Sequence, residues 1–147
     1  MADKYASLRL ENQLCFPLYA CSKEVVRRYT PLLNELGLTY TQYITMMVLW
    51  EREHVTVKEL GEALYLDSGT LTPLLKKLES KGYIERHRCE DDERSLMVSL
   101  TEEGRQLREK ALEVPQKISC CLKISKEERI ELYKLLYKVL DGVKEEA

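Results

Sequence analysis

The sequence lacks a long apolar run, a Cys-x-x-Cys pair and any large net charge. Lys4, Arg9 and Glu11 interrupt the first twenty residues, which argues against a secretory signal or a membrane span there. The expected compartment is therefore the cytoplasm, where thiols stay mostly reduced. The five cysteines show no metal-ligand spacing, and neither do His54 and His87, so a structural zinc site is not expected. Net charge is −2, which excludes a DNA-binding argument from bulk basicity and requires any positive surface to be local. Internal repeats and low-complexity stretches are also missing.

With 147 residues, 44% hydrophobic and 33% charged, the chain is long enough for one domain with a real core and too apolar for disorder. Leu10, Leu14, Leu18, Cys21 and Val25 repeat at helical spacing, predicting a long first helix on which Cys21 is buried. Pro17 should kink that helix or start it afresh, and Thr30-Pro31 should end its pattern before a stop at Gly37. Thr41 is the expected N-cap of a helix carrying Ile44, Met47 and Val48. Thr56 with Glu59 forms a capping box for a short helix with Leu60 and Leu64. After a turn at Tyr65-Leu66, Asp67 or Ser68 caps a helix whose Leu71, Leu74, Leu75 and Leu78 form one apolar face, closed by Gly82.

Beyond Gly82 the period changes to two. Ile84, Arg86 and Arg88 alternate with Glu85 and His87, and Leu96, Val98 and Leu100 with Met97 and Ser99, around a polar loop from Cys89 to Glu93. Helix, turn, helix and hairpin in that order make a winged helix. Thr101 then caps a long helix through Leu107, Ala111, Val114, Ile118 and Cys121, interrupted by Pro115, and Ser125 with Glu128 caps a last one with Tyr133, Leu136, Leu140 and Val143. The expected class is α/β, mainly α: a single domain over 1–147, with a winged helix-turn-helix over 41–100. Flanking segments 1–36 and 101–147 carry apolar stripes that a second copy would cover, which predicts a homodimer.

The opening of the helix after Asp67 offers short polar groups, Ser68, Thr70 and Thr72, with Lys76 and Lys77 further along its exposed side. From Lys76 to Arg88 five Lys or Arg face two Glu, a local excess of three positive charges. That is the pattern of a helix entering a major groove with phosphates at its flank. Arg94, near the wing tip, is set to enter a minor groove with Asp92 holding its side chain.

The stretch LYLDSGTLTPLLKKLE, followed by DDERS and LTEEG, resembles the MarR family of regulators, and ENQLCFPLYA resembles its organic hydroperoxide resistance branch, OhrR. The resemblance covers essentially the whole chain. It implies a dimeric repressor on a palindromic operator, not an enzyme, with no cofactor and no metal. Ser68, Thr70, Thr72 and Lys77 would lie at the major groove; Arg86, Asp92 and Arg94 would belong to the wing. Some relatives carry Arg where Lys77 stands, so a bidentate contact to guanine would be weaker here. Cys15, in QLCFPLY, matches the reactive thiol, which as thiolate attacks the peroxide O–O bond to give a sulfenic acid. Tyr19 matches one hydroxyl beside that sulfur, and Tyr29 and Tyr40 match two more from the opposite subunit. Phe16, Leu18 and Met46 or Met47 would favour an organic hydroperoxide over hydrogen peroxide.

Members of the family differ in the fate of that sulfenic acid. Some cap it with a low-molecular-weight thiol; others close an intersubunit disulfide, for which Cys120, or else Cys121, is the candidate. Cys121 falls on the heptad stripe and is expected in the core; Cys21 and Cys89 carry no sensing role. Pro17 stands where an aliphatic residue is usual. Alternatives left open are a regulator responding to a small aromatic ligand, a thiol-based regulator of a broader oxidant response, a thiol peroxidase and a metal-sensing winged helix.

Overall fold

In the computed structural model, which describes residues 1–90 and 95–145, two 3₁₀ turns (Ala6–Leu8, Leu10–Asn12) precede seven helices and three strands. Helices α1 (Cys15–Asn34), α2 (Tyr40–Arg52), α3 (Val57–Leu64) and α4 (Ser68–Ser80) flank β1 (His54–Thr56). After them come β2 (Ile84–Arg88), β3 (Leu96–Leu100), α5 (Glu102–Ala111), α6 (Val114–Ser119) and α7 (Lys126–Glu145). The chain divides into two compact units, Met1–Pro115 and Gln116–Ala147.

In the first unit the strands form an antiparallel sheet of order β1-β3-β2, with Val55 opposite Val98 and Ile84 opposite Leu100. Val55, Ile84 and Val98 are buried on it together with Leu60, Leu71, Leu75 and Leu78, so α3 and α4 share one core with the sheet. The period-3.6 leucines of α4 thus bury one face and leave Ser68, Thr70, Thr72, Lys76 and Lys77 exposed on the other. The mainly helical winged helix-turn-helix expected from the sequence is present.

Several boundaries differ from expectation. The first helix starts at Cys15, not before Leu10, and Pro17 is its third residue. There its missing N–H costs nothing, because the first four N–H groups of a helix have no partner within it. Pro31 does not end α1, which continues to Asn34 with Leu33 seated in the core. The cap of α2 is Thr39, not Thr41, in a full capping box with Gln42. Strand β1 was not foreseen: three residues are too few for alternation to register.

The helix after Thr101, expected to be interrupted by Pro115, is two, α5 and α6, parted after Ala111. Pro115 explains the break, since it can neither donate to the Ala111 carbonyl nor clear it sterically. Cys21 and Cys121, expected in the core, are both exposed in the single chain. The Ser125–Glu128 capping box forms as expected, with reciprocal bonds of 2.9 and 3.1 Å.

Candidate nucleic-acid interface and thiol site

Asp67 opens α4 by accepting the Thr70 backbone N–H at 2.7 Å. The Thr70 hydroxyl, and then that N–H, hold the Asp67 carboxyl below its ordinary range. The Thr72 hydroxyl donates to the Ser68 carbonyl at 2.8 Å, which fixes its rotamer and leaves its lone pairs outward. The helix therefore begins with an exposed run of small polar side chains and first-turn N–H groups, a surface suited to anions and base edges.

The wing begins differently from expectation at Arg86. Its guanidinium lies 3.1 Å from Glu79, whose second oxygen accepts the Arg86 backbone N–H at 3.0 Å. The Arg86 hydrogen bond is the main reason the Glu79 carboxyl is held below its usual range. Arg86 thus fastens β2 to α4 and is only 19% exposed, while Arg88 is exposed at the end of the strand. Cys89 N–H donates to the Ser95 carbonyl at 2.9 Å, closing the hairpin. Asp92 and Arg94 lie outside the described residues.

Cys15 is the first residue of the 20-residue α1, exposed and with a free thiol. The Gln13 side-chain amide donates to the carbonyls of Ser7 and Arg9, and Asn12 to that of Ala6, which hold the two 3₁₀ turns ahead of it. An open cavity of about 750 Å³ lined by Arg9, Leu10, Glu11, Gln13, Phe16 and Pro17 flanks Cys15 in the chain. Tyr19, one turn further, is exposed with Lys23 over its ring. Met46 is sealed in the core, so of the two methionines considered only Met47 is exposed.

Tyr29 and Tyr40 are brought together, their ring centroids 5.0 Å apart. Among the described residues of one chain neither contacts Cys15. A third ring went unnoticed in the sequence: Tyr43 packs 5.8 Å from Tyr29 and 6.4 Å from Tyr40, and edge-on to Trp50. The i, i+3 spacing of Tyr40 and Tyr43 on a helix was the available signal. Burial pushes all three hydroxyls above their ordinary value, with mutual repulsion adding at Tyr29 and Tyr43.

That shift has a testable sign. Above the ordinary tyrosine value the unfolded chain ionises while these folded hydroxyls keep their protons, so stability falls as pH rises through the folded values. A titration followed by phenolate absorbance should show Tyr29, Tyr40 and Tyr43 ionising above the ordinary tyrosine value. Tyr43→Phe should remove one of the three. Nine tyrosines ionising together at the ordinary value would contradict the cluster.

In the second unit Cys120 and Cys121 follow α6, both free and exposed, Cys121 with its thiol 3.5 Å from the Lys117 carbonyl. Along α7 the apolar side chains Ile130, Tyr133, Leu136, Tyr137 and Val143 are all exposed. Among the described residues no group of three potential metal ligands occurs, and no helix is long and apolar enough to cross a membrane.

Comparison with known proteins gives a consistent set. The family described as transcriptional regulator SarA/Rot matches residues 27–111. The organic hydroperoxide resistance transcriptional regulator of Bacillus subtilis (strain 168) is 51% identical, over 96% of each chain. Among solved structures, that of reduced AbfR bound to DNA is similar at TM-score 0.82 and 36% identity, covering 97% of this chain and 98% of that one. The structure of disulfide-formed AbfR is similar at TM-score 0.67 and 36% identity, covering 95% and 96%; AbfR is a Staphylococcus epidermidis protein.

Proposed function

Since the chain belongs to the MarR family of winged-helix transcriptional regulators, in its organic hydroperoxide resistance branch, we propose that it is a cytoplasmic repressor that leaves its operator when Cys15 is oxidised. Two chains pair through segments 1–36 and 101–147, covering the apolar face of α7, and present two copies of the 41–100 unit to a palindromic site. Ser68, Thr70 and Thr72 meet base edges, and Lys76 and Lys77 meet phosphates. Arg88 and Arg94 serve the wing, with Asp92 holding Arg94. Arg86, held by Glu79, sets the angle of the wing against α4.

At Cys15 the thiolate attacks the terminal oxygen of an organic hydroperoxide. The O–O bond breaks, an S–O bond forms and, with one proton taken up, the products are a sulfenic acid and an alcohol. The first turn of α1 favours negative charge at that position, and Tyr19 together with the partner's Tyr29 and Tyr40 supplies hydroxyl donors. Cys120 of the partner subunit then displaces water from the sulfenic acid to give an intersubunit disulfide; a low-molecular-weight thiol is the competing capping agent.

The observation that carries the reading is the position of Cys15, an exposed, unpaired thiol at the first residue of a 20-residue helix in a chain this close to a hydroperoxide-resistance regulator. The test uses a duplex selected from a random pool by the reduced protein. One equivalent of cumene hydroperoxide should release it, a reducing thiol should restore binding, and hydrogen peroxide should act more slowly. Non-reducing gels of the oxidised protein should show a covalent dimer missing in Cys120→Ser. A duplex that stays bound after Cys15 is shown oxidised by mass spectrometry would overturn the function. A monomer carrying a small-thiol adduct would overturn only the disulfide.

A further inference from the structure

We infer that Lys81 is a positioning residue, the strut through which the corner between α1 and α2 sets the place of α4; the inference rests on the redox reading above. Lys81 is the C-cap of α4. Its ammonium donates to the Gly37 carbonyl, in the turn that follows α1, and lies 3.4 Å from the Gln42 side-chain oxygen in the first turn of α2. These partners stand 44 and 39 residues away in sequence, so the contact joins separate elements rather than neighbours on one helix.

Gln42 is no loose surface group. It is buried, and the same oxygen accepts the Thr39 N–H at 3.0 Å as half of the capping box of α2. Tyr40 sits in that same helical turn, between the two residues Lys81 holds. A shift of that turn's backbone therefore carries Tyr40 and the acceptor of Lys81 together. Two residues before Lys81, Glu79 grips Arg86 of β2. The C-terminal end of α4 is thus held on one side by the corner that carries Tyr40 and on the other by the wing. Among the described residues Lys81 forms no ion pair with a carboxylate, and its charge is met by neutral oxygens whose positions depend on α1 and α2.

Lys81→Met keeps the aliphatic stem and removes the donors; Lys81→Arg keeps a cation. Affinity for the selected duplex is measured before and after cumene hydroperoxide, with a salt series and a thermal melt for each protein. Reduced Lys81→Met should bind more weakly than wild type, because the strut helps set the place of α4, and its further loss of affinity on oxidation should be smaller by about fivefold or more, the lower range of couplings between sites. Lys81→Arg should recover most of the response. Gln42→Met should add little to that change of response in the Lys81→Met background, as expected of two ends of one contact, while lowering the melting temperature because the Thr39 N–H loses its acceptor.

A Lys81→Met protein that loses affinity on oxidation as fully as wild type overturns the strut. So does a salt slope lowered by about one, which would make Lys81 a phosphate ligand. A wild type that keeps its duplex after Cys15 is oxidised overturns the redox reading first, and this inference with it.

Discussion

Cys15→Ser is expected to bind the selected duplex within about a factor of two of wild type, because the serine oxygen can still accept the tyrosine hydroxyls proposed to meet the sulfur, and to ignore organic hydroperoxide altogether. The two halves of that expectation have separate physical grounds. Binding survives because the polar face of α4 and its leucine core are built by residues 67–80, with no part played by the sulfur. The response vanishes because a serine hydroxyl at neutral pH is not a nucleophile toward O–O bonds, whereas a thiolate is.

The size of the effect is set by the switch itself. Moving a two-state regulator from 99:1 bound to 1:99 requires about 5.5 kcal/mol of preference for one state. Breaking one tyrosine bond to the sulfur supplies ~1–3 kcal/mol, so several bonds, or a covalent link, must change together. The same variant separates the rivals. A regulator of small aromatic ligands would keep its ligand response in Cys15→Ser. A thiol peroxidase would lose turnover and have no operator to release. Release of the serine variant by hydroperoxide at the wild-type dose would end the sensing account and leave the DNA-binding account standing.

The polar face of α4 was more legible in the sequence than the surroundings of Cys15, for a physical reason. Leu71, Leu74, Leu75 and Leu78 are spaced by the pitch of the helix they form, and the same spacing assigns the opposite face to Ser68, Thr70 and Thr72. Local capping chemistry was equally readable at Thr56 and Ser125, where donor and acceptor lie three residues apart. What escaped was whatever depends on contact between distant segments. Cys21 and Cys121 follow apolar stripes and were expected inside, yet a stripe says only that a surface is covered by something, and in one chain nothing covers these. Arg86 counted toward the positive charge of the wing, but its guanidinium is taken by Glu79 from another element. Tyr43 was passed over although Tyr40 stands three residues before it, because its nearer partner Tyr29 comes from another helix. Strand β1 exists because β3 offers it a ladder, not because three residues prefer to be extended.

Gly104→Ala tests a contact of that long-range kind and should be among the most damaging single-methyl changes in the protein. A Cβ on Gly104 would stand 2.2 Å from the Tyr83 carbonyl oxygen and 2.9 Å from Leu100 Cδ1. The first obstacle is backbone and cannot rotate away. The Tyr83 carbonyl is itself fixed, accepting the Thr101 N–H at 3.1 Å, while the Thr101 hydroxyl donates to the Gly82 carbonyl at 2.6 Å. Relief must therefore come from shifting the start of α5, and that also pulls the Gly104 carbonyl from the Trp50 indole N–H, which donates to it at 2.8 Å. Overpacking of this kind costs about 3 kcal/mol, and at ~2–4 °C per kcal/mol for a chain of this size the melting temperature should fall by roughly 10 °C. Trp50, the chain's single tryptophan, reports the displacement directly as a change in emission of the folded protein. Because the crowded carbonyl lies between the end of α4 and the start of β2, the variant should also bind the duplex more weakly at temperatures where it is still fully folded. A melt and an emission spectrum matching wild type would mean that α5 does not approach Tyr83 this closely, and the packing that carries the wing would have to be redrawn.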